Sequence, residues 1–280
     1  MPPVTDAEDV YVSEVFSAIQ GEGALVGTRQ VFVRLTGCNI RCAYCDQPEA
    51  LERVGGPCRI ERTAGARDWL VLASPLPVGD VVDMADALGR QLPHHSVSLT
   101  GGEPLFQSRR AARLCAGLAI RGWPVMLETN GTLPAALEGM ANDLAYVSMD
   151  VKLPSVDGER VDPERQRQFL DAALSAGLTT WVKIVVGATT DVSELDRAVG
   201  MVADAARGAV PSEPAPAGPT APAWPTRADG PEIFLQPVTP FAAVTEAPSP
   251  EFVLELQARA LARYPRVRVV PQTHKAIGQL

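Results

Sequence analysis

Residues 31–45 read VFVRLTGCNIRCAYC: an aliphatic, β-branched run leads straight into three cysteines. The first six of these residues have the composition of a strand. Six further segments repeat the signal, at 96–100, 123–128, 144–151, 180–186, 232–236 and 266–271. Most are near-continuous apolar runs, the pattern of strands covered on both faces. Helical spacing fills the intervals, over about 80–91, 107–121, 134–141, 162–176, 191–207 and 250–263. Asp162 before Pro163 and Ser249 before Pro250 are N-cap signals, and Asp191 with Glu194 three residues on has the form of a capping box. Strand and helix alternate, which predicts an α/β fold with a parallel sheet. Six βα units fall short of a closed eight-stranded barrel. The expected architecture is therefore an open, partial β/α barrel, with a doubly wound sheet as the alternative.

Two regions break the rhythm of what otherwise reads as one domain over 1–280. Residues 46–79 mix Gly, Pro and Arg in no clear period and read as a variable insertion. Residues 205–231 become rich in Pro and Ala, with proline at 211, 214, 216, 219, 222, 225 and 231. Such a stretch reads as an extended surface excursion between helix and strand.

Composition narrows the class. The 280 residues are 46% hydrophobic and 21% charged, enough for a sizeable core and unlike a disordered chain. A formal charge of −8 disfavours nucleic acid or an anionic membrane as the main partner. No apolar run is long enough to span a bilayer, and MPPVTDAEDV lacks the basic start and apolar stretch of a secretory signal. The expected location is the cytoplasm. Five cysteines are too few for a disulfide scaffold. Cys58 and Cys115 stand alone and read as passive thiols, whereas Cys38, Cys42 and Cys45 are clustered.

Placement carries the functional signal. In parallel α/β folds, ligands bind at the C-terminal ends of the strands. Here those ends carry GCNIRCAYCD (37–46), GGEP (101–104), TNG (129–131), SMDVK (148–152), QPVTP (236–240) and QTHK (272–275). Cys38-x3-Cys42-x2-Cys45 offers three soft ligands on one loop. That set suits a [4Fe–4S] cluster with one iron open to a non-protein ligand. The competing reading is a zinc knuckle completed by Cys58 or by His94 and His95, in a non-catalytic binding protein.

The cysteine spacing, with Tyr44 before the third cysteine and GGEP on the next strand, resembles the radical S-adenosylmethionine superfamily. The lead-in VSEVFSAIQGEGALVGTRQVFVRLTGC, with ETNGT, VSMDVKLPS, LQPV and QTHK, resembles one of its branches, the 7-carboxy-7-deazaguanine synthase family. The likeness covers nearly the whole chain outside 46–79 and 205–231. It implies a lyase that converts 6-carboxy-5,6,7,8-tetrahydropterin into 7-carboxy-7-deazaguanine with loss of ammonia, for queuosine and other 7-deazapurines. The cofactors implied are a [4Fe–4S] cluster on Cys38, Cys42 and Cys45 and S-adenosylmethionine on its open iron.

By the same resemblance, S-adenosylmethionine meets Tyr44, Asp46, Gly101, Gly102, Glu103, Asn130, Ser148, Asp150, Lys152 and Gln236. The pterin meets Ile19, Gln20, Gly21, Glu22, Arg34, Thr100, His274 and the C-terminal carboxyl at Leu280. Arg34 suits bidentate pairing with a carboxylate, although a strand arginine can equally pair with a core carboxylate. Glu22 and Glu128 are the candidate bases. Asp150, Glu128 and Thr129 also resemble a cation site of glycyl-radical activating enzymes, the nearest rival reading, and the QGEG motif at 20–23 argues for the small molecule instead. One position departs from the family: Gln47 stands where a magnesium-binding threonine is usual, so a magnesium ion would have to rest on a longer glutamine amide, and the departure puts magnesium dependence in question. An electron donor of the flavodoxin or ferredoxin kind and a homodimer complete the expectations.

Overall fold

The structure, a computed structural model, describes residues 9–52, 55–158, 161–208 and 230–279. Twelve strands are present among them: β1 (Asp9–Val10), β2 (Val12–Ile19), β3 (Arg29–Leu35), β4 (Gly56–Glu61), β5 (Trp69–Ser74), β6 (Leu76–Pro77), β7 (Ser96–Gly101), β8 (Val125–Thr129), β9 (Tyr146–Val151), β10 (Thr179–Val186), β11 (Glu232–Pro237) and β12 (Val267–Val269). The α-helices are α1 (Val78–Gly89), α2 (Ser108–Ile120), α3 (Pro134–Leu137), α4 (Pro154–Asp157), α5 (Pro163–Ser175), α6 (Val192–Gly208), α7 (Pro250–Leu261) and α8 (Thr273–Ala276). Ten strands form one sheet in the order β12-β11-β10-β9-β8-β7-β3-β2-β4-β5. From β12 to β3 every neighbouring pair is parallel, and β2 then lies antiparallel to β3.

The two faces of this sheet differ. One face presents Val31, Val33, Val97, Leu99, Leu127 and Val147, in one cluster with the buried residues of α1, α2, α5, α6 and α7. The other face carries the alternate positions, among them Gln30, Ser98, Glu128, Ser148, Asp150 and Lys183, and its small apolar clusters contain no α-helical residue. Helices therefore cover one face and leave the other to line a cavity. A doubly wound sheet needs helices on both faces, so the open, partial barrel is the architecture. The order also ends at β12 and β5 without closing on itself.

At the N-terminal end of the cavity face, Met126, Trp181 and Phe234 pack with Leu25 in an apolar floor. Two residues further along the same strands come Glu128, Lys183 and Gln236, which line the cavity. The strands read as apolar on both faces because their polar residues are few; the structure gathers those few on one side.

All seven expected parallel strands are present. The stretch 46–79 is not irregular: it holds β4 and β5, an antiparallel pair joined to the sheet through β2. Its period was hidden because β5 lies at a sheet edge, where Leu70 and Val71 are exposed. Strand β2 was missed for its polar residues; Glu14 is buried there only because Arg34 and Arg59 both pair with it. Asp162 and Ser249 cap α5 and α7 as expected, accepting from Glu164 N (3.0 Å) and Phe252 N (3.2 Å). The capping box at α6 is half formed. Asp191 accepts from Ser193 N at 2.7 Å, while the Glu194 carboxylate accepts from Ser155 N at 2.9 Å. Of the excursion at 205–231, the first four residues finish α6, and 209–229 lie outside the described residues.

Candidate active site

The loop after β3 turns the cysteines toward the cavity. Gly37 N and Cys38 N donate to Ala50 O and Leu51 O (both 2.8 Å), and Ala43 N donates to Asp157 O (2.7 Å). Cys38, Cys42 and Cys45 all line the cavity. Burial pushes the thiols of Cys38 and Cys42 up, the latter to about 12. Among the described residues no three His, Cys, Asp or Glu side chains converge on a single metal-ion position. The zinc alternative is not assembled: Cys58 is buried in β4, His94 is bonded to Ser17 Oγ (2.9 Å) and His95 to Ser96 Oγ (2.9 Å), and none reaches the cavity. Three thiols on one loop fit a cubane cluster, which takes one thiolate per iron.

The GGEP loop follows β7, and Gly101 and Gly102 line the cavity while also packing tightly on the chain behind them. A Cβ on Gly101 would lie 2.0 Å from Leu35 O, and one on Gly102 would lie 2.5 Å from Gly37 O and 2.6 Å from Ala50 O. Their small size lets this loop pack on the base of the cysteine loop. Glu103 departs from expectation. It is fully buried outside the cavity lining, accepting from Leu105 N (3.0 Å), Thr129 Oγ1 (2.9 Å) and Asn130 N (2.7 Å). Burial raises its pKa to about 7 against those donors. Its carboxylate ties two strand ends together instead of facing a ligand. Asn130 lines the cavity, but its side chain is spent on Asn39 (3.0 Å) and Thr132.

A chain of charges starts at the cysteine loop, where Lys152 meets Tyr44. Lys152 Nζ is 2.9 Å from Asp150 Oδ2 and 3.2 Å from Tyr44 OH, and it lies 5.0 Å from the Tyr44 ring centre. Lys183 Nζ meets Asp150 Oδ2 at 3.2 Å and Glu22 Oε2 at 2.6 Å. Burial works against both ammonium groups, yet the carboxylates beside them hold both pKa values above the ordinary lysine value. Burial likewise works to raise the Glu22 pKa, but the Lys183 charge and hydrogen bonds from Lys183 and Gln272 leave it below the usual carboxylate value. Glu128 accepts from Ser98 Oγ (2.8 Å), Gln20 Nε2 (3.0 Å) and Thr100 Oγ1 (3.1 Å). Asp150 is thus paired with lysines and Glu128 with neutral donors, so the cation site suggested for Asp150, Glu128 and Thr129 is not formed.

Gln20, Gly21, Glu22 and Gly23 enter from the other end of the strands, because β2 is antiparallel to its neighbour. Gly21 packs against His274, whose ring would lie about 2 Å from any Cβ there. The segment after β12 straps across this loop. Thr273 N and Oγ1 both donate to Gly21 O (3.0 Å), Gln272 Nε2 donates to Glu22 Oε1 (2.9 Å), and Lys275 Nζ lies 3.0 Å from Asp46 Oδ2. Burial works to raise the Asp46 pKa, but Lys275 brings it below the usual aspartate value. Arg67, between β4 and β5, donates to Gly278 O at 2.7 Å and holds the far end of the strap. Arg34 lines the cavity while its Nε donates to Glu14 Oε2 at 2.9 Å, so the pairing with a buried carboxylate is the contact it makes here.

Ile19, Tyr44, Gln47, Thr100, Ser148 and Gln236 also line the cavity, whereas Leu280 lies outside the described residues. The sequence reading missed Lys183, Gln272 and Ser98 as site residues. Lys183 had a signal: a lysine inside the apolar run TTWVKIVV is either costly or employed. Two buried acceptors in the lining, Asp150 Oδ1 and Gln236 Oε1, have no hydrogen-bond partner in the protein. They fit a ligand that brings donors, as the amino and hydroxyl groups of S-adenosylmethionine do.

The radical SAM superfamily matches residues 32–202. A 7-carboxy-7-deazaguanine synthase of Geobacter sulfurreducens is 38% identical over 271 residues, covering 96% of this chain and 97% of that protein. The chain belongs to the 7-carboxy-7-deazaguanine synthase family. A synthase of Methanothermobacter thermautotrophicus is 31% identical over 286 residues, with 95% and 96% covered. QueE from Escherichia coli has the same fold, with a TM-score of 0.53 at 19% identity over 93% of each chain. As a radical SAM lyase, this synthase-family enzyme uses a [4Fe–4S] cluster and S-adenosylmethionine, acts on a small molecule and needs a reductant. No helix among the described residues is long and apolar enough to cross a membrane.

Proposed function

We propose that the enzyme contracts the ring of 6-carboxy-5,6,7,8-tetrahydropterin to give 7-carboxy-7-deazaguanine, releasing ammonia. The observation that carries this reading is that Gln20, Glu22, Arg34, Thr100, Glu128 and His274 line the same cavity as the three cysteines. Cys38, Cys42 and Cys45 would hold the cluster in this cavity, and with S-adenosylmethionine bound it would supply radical hydrogen-abstraction chemistry beside the pterin. Tyr44, Ser148, Asp150, Lys152 and Gln236 would hold S-adenosylmethionine on one side of the cavity. Arg34 pairs with the substrate carboxylate, its Nε anchored on Glu14.

Gln20 and Glu128 present an amide and a carboxylate to the guanine-like edge, a polar pair that disfavours analogues lacking those groups. The Lys183 ammonium makes Glu22 a poor base and a good acceptor, so Glu22 orients the pterin and Glu128 receives the proton lost during elimination. The strap from Gln272 to Lys275 keeps water from the reacting carbon. An electron carrier of the flavodoxin or ferredoxin class, a homodimer and a cytoplasmic location belong to the same reading.

An anaerobic assay tests it. The reconstituted protein receives S-adenosylmethionine, dithionite and the tetrahydropterin, with and without magnesium, and products are read by mass spectrometry. Deazaguanine is expected. Deoxyadenosine without deazaguanine would sink the substrate assignment, and the magnesium comparison decides whether Gln47 serves as a metal ligand.

A further inference from the structure

One lysine joins the two halves of the cavity. Lys183 sits mid-way along β10 with its side chain 14% exposed, 2.6 Å from Glu22 Oε2 and 3.2 Å from Asp150 Oδ2. The sheet fixes the second contact, because Asp150 and Lys183 are register partners in the β9–β10 ladder. The first contact depends on the Gln20–Gly23 loop, which arrives from the opposite end of the strands and whose Glu22 is held on its other oxygen by Gln272 (2.9 Å). One ammonium is thus shared between two carboxylates that approach from different elements. Burial works against the ammonium, and the two carboxylates together keep it charged.

Sharing has a consequence. If the Glu22 carboxylate is engaged elsewhere or removed, Lys183 settles more fully on Asp150. Asp150 already gives Oδ2 to Lys152 at 2.9 Å, and its Oδ1 is buried with no hydrogen-bond partner. A stronger pull from Lys183 makes that free oxygen a poorer acceptor for whatever donor enters the cavity.

We propose that Lys183 couples the substrate side of the cavity to the cofactor side, so that the state of Glu22 sets how tightly the adenosyl cofactor is held at Asp150. The coupling rests on the reading above, in which Glu22 faces the pterin and Asp150 faces S-adenosylmethionine. It is reciprocal, as any linkage between two binding sites must be. It makes Lys183 a positioning residue: it acts through the two carboxylates.

A double-substitution cycle tests it without turnover. The full chain, reconstituted and unreduced, is prepared as Glu22→Gln, as Lys183→Met and as both, and S-adenosylhomocysteine binding is measured by calorimetry. With Lys183 present, Glu22→Gln is expected to weaken binding about fivefold or more, a modest coupling for neighbours in one charge network. With Lys183→Met in the background, the same Glu22→Gln change should move affinity less than about twofold. Lys183→Arg, which keeps the charge, should restore the coupling. Lys183→Gln replaces Lys183→Met if thermal melting shows that the latter does not fold. Equal effects of Glu22→Gln in both backgrounds, or none in either, would overturn the proposal. No adenosylhomocysteine binding by the unsubstituted protein would overturn it together with the cofactor assignment of Asp150. No pterin enters the experiment, so a failure of the substrate reading in the turnover assay leaves this result interpretable.

Discussion

Leu127 and Glu128 are neighbours in β8 and live in different surroundings. Leu127 is fully buried among aliphatic side chains of the helix-covered face. Glu128 points the other way, into a cavity where Ser98, Thr100 and Gln20 all donate to it. The same alternation separates Val182 from Lys183 and Met149 from Asp150. One face of the sheet is built to lose water and the other to hold charge, and the strands serve both because their side chains alternate. Stability and chemistry are therefore assigned to different residues of the same strand.

Substitutions can break that division or sharpen it. The largest effect is expected from Cys42→Ala, which should lower turnover to below about a thousandth, since the cluster supplies the difficult chemistry; absorbance of the reconstituted protein and the rate of deazaguanine formation check it. The pair Leu127→Ala and Glu128→Gln comes next. The first should cost about 2–5 kcal/mol of stability, read from denaturant unfolding, and leave kcat of the folded protein nearly intact. The second should leave Tm unchanged or raised while lowering kcat/KM about 100-fold. A Tm loss in Glu128→Gln as large as that of Leu127→Ala would end the separation of faces.

Gly102→Ala lies on the boundary between the two tasks. Its methyl group would meet two carbonyl oxygens at the base of the cysteine loop. About 3 kcal/mol of destabilisation is expected even in the cluster-free protein, where unfolding can be measured without the cofactor. The smallest effect belongs to Arg67→Ala. Losing its hydrogen bond to Gly278 should raise KM for the pterin about threefold with little change in Tm. Unchanged KM would show that the strap holds its place without the hairpin.

The seven parallel strands were legible because their apolar content is dense and each is bounded by turn residues or a helix. Strands β2, β4 and β5 were not, because their logic is tertiary. Glu14 belongs in a buried strand only once Arg34 and Arg59 are known to flank it. Leu70 and Val71 look out of place until β5 is seen as a sheet edge. In the cavity, Gln20, Gly21 and Glu22 of QGEG and Thr129 and Asn130 of TNG lie in the lining, and the sequence pointed to them through the family resemblance. Glu103 misled, since a carboxylate in a signature motif looks the same whether it faces a ligand or caps two backbone segments. Lys183 was overlooked inside an apolar strand, although its cost there was the clue.

The grip of Arg67 on Gly278 joins two stretches of chain that are far apart in sequence. One lies in the hairpin within 46–79, and the other is the strap that leans on Gly21. Neither can change length without altering where the other rests. Across relatives, insertions and deletions between β4 and β5 should be correlated with changes in the segment after β12. A relative that lacks the hairpin must fasten its strap by another residue or bind its substrate in a more open mouth.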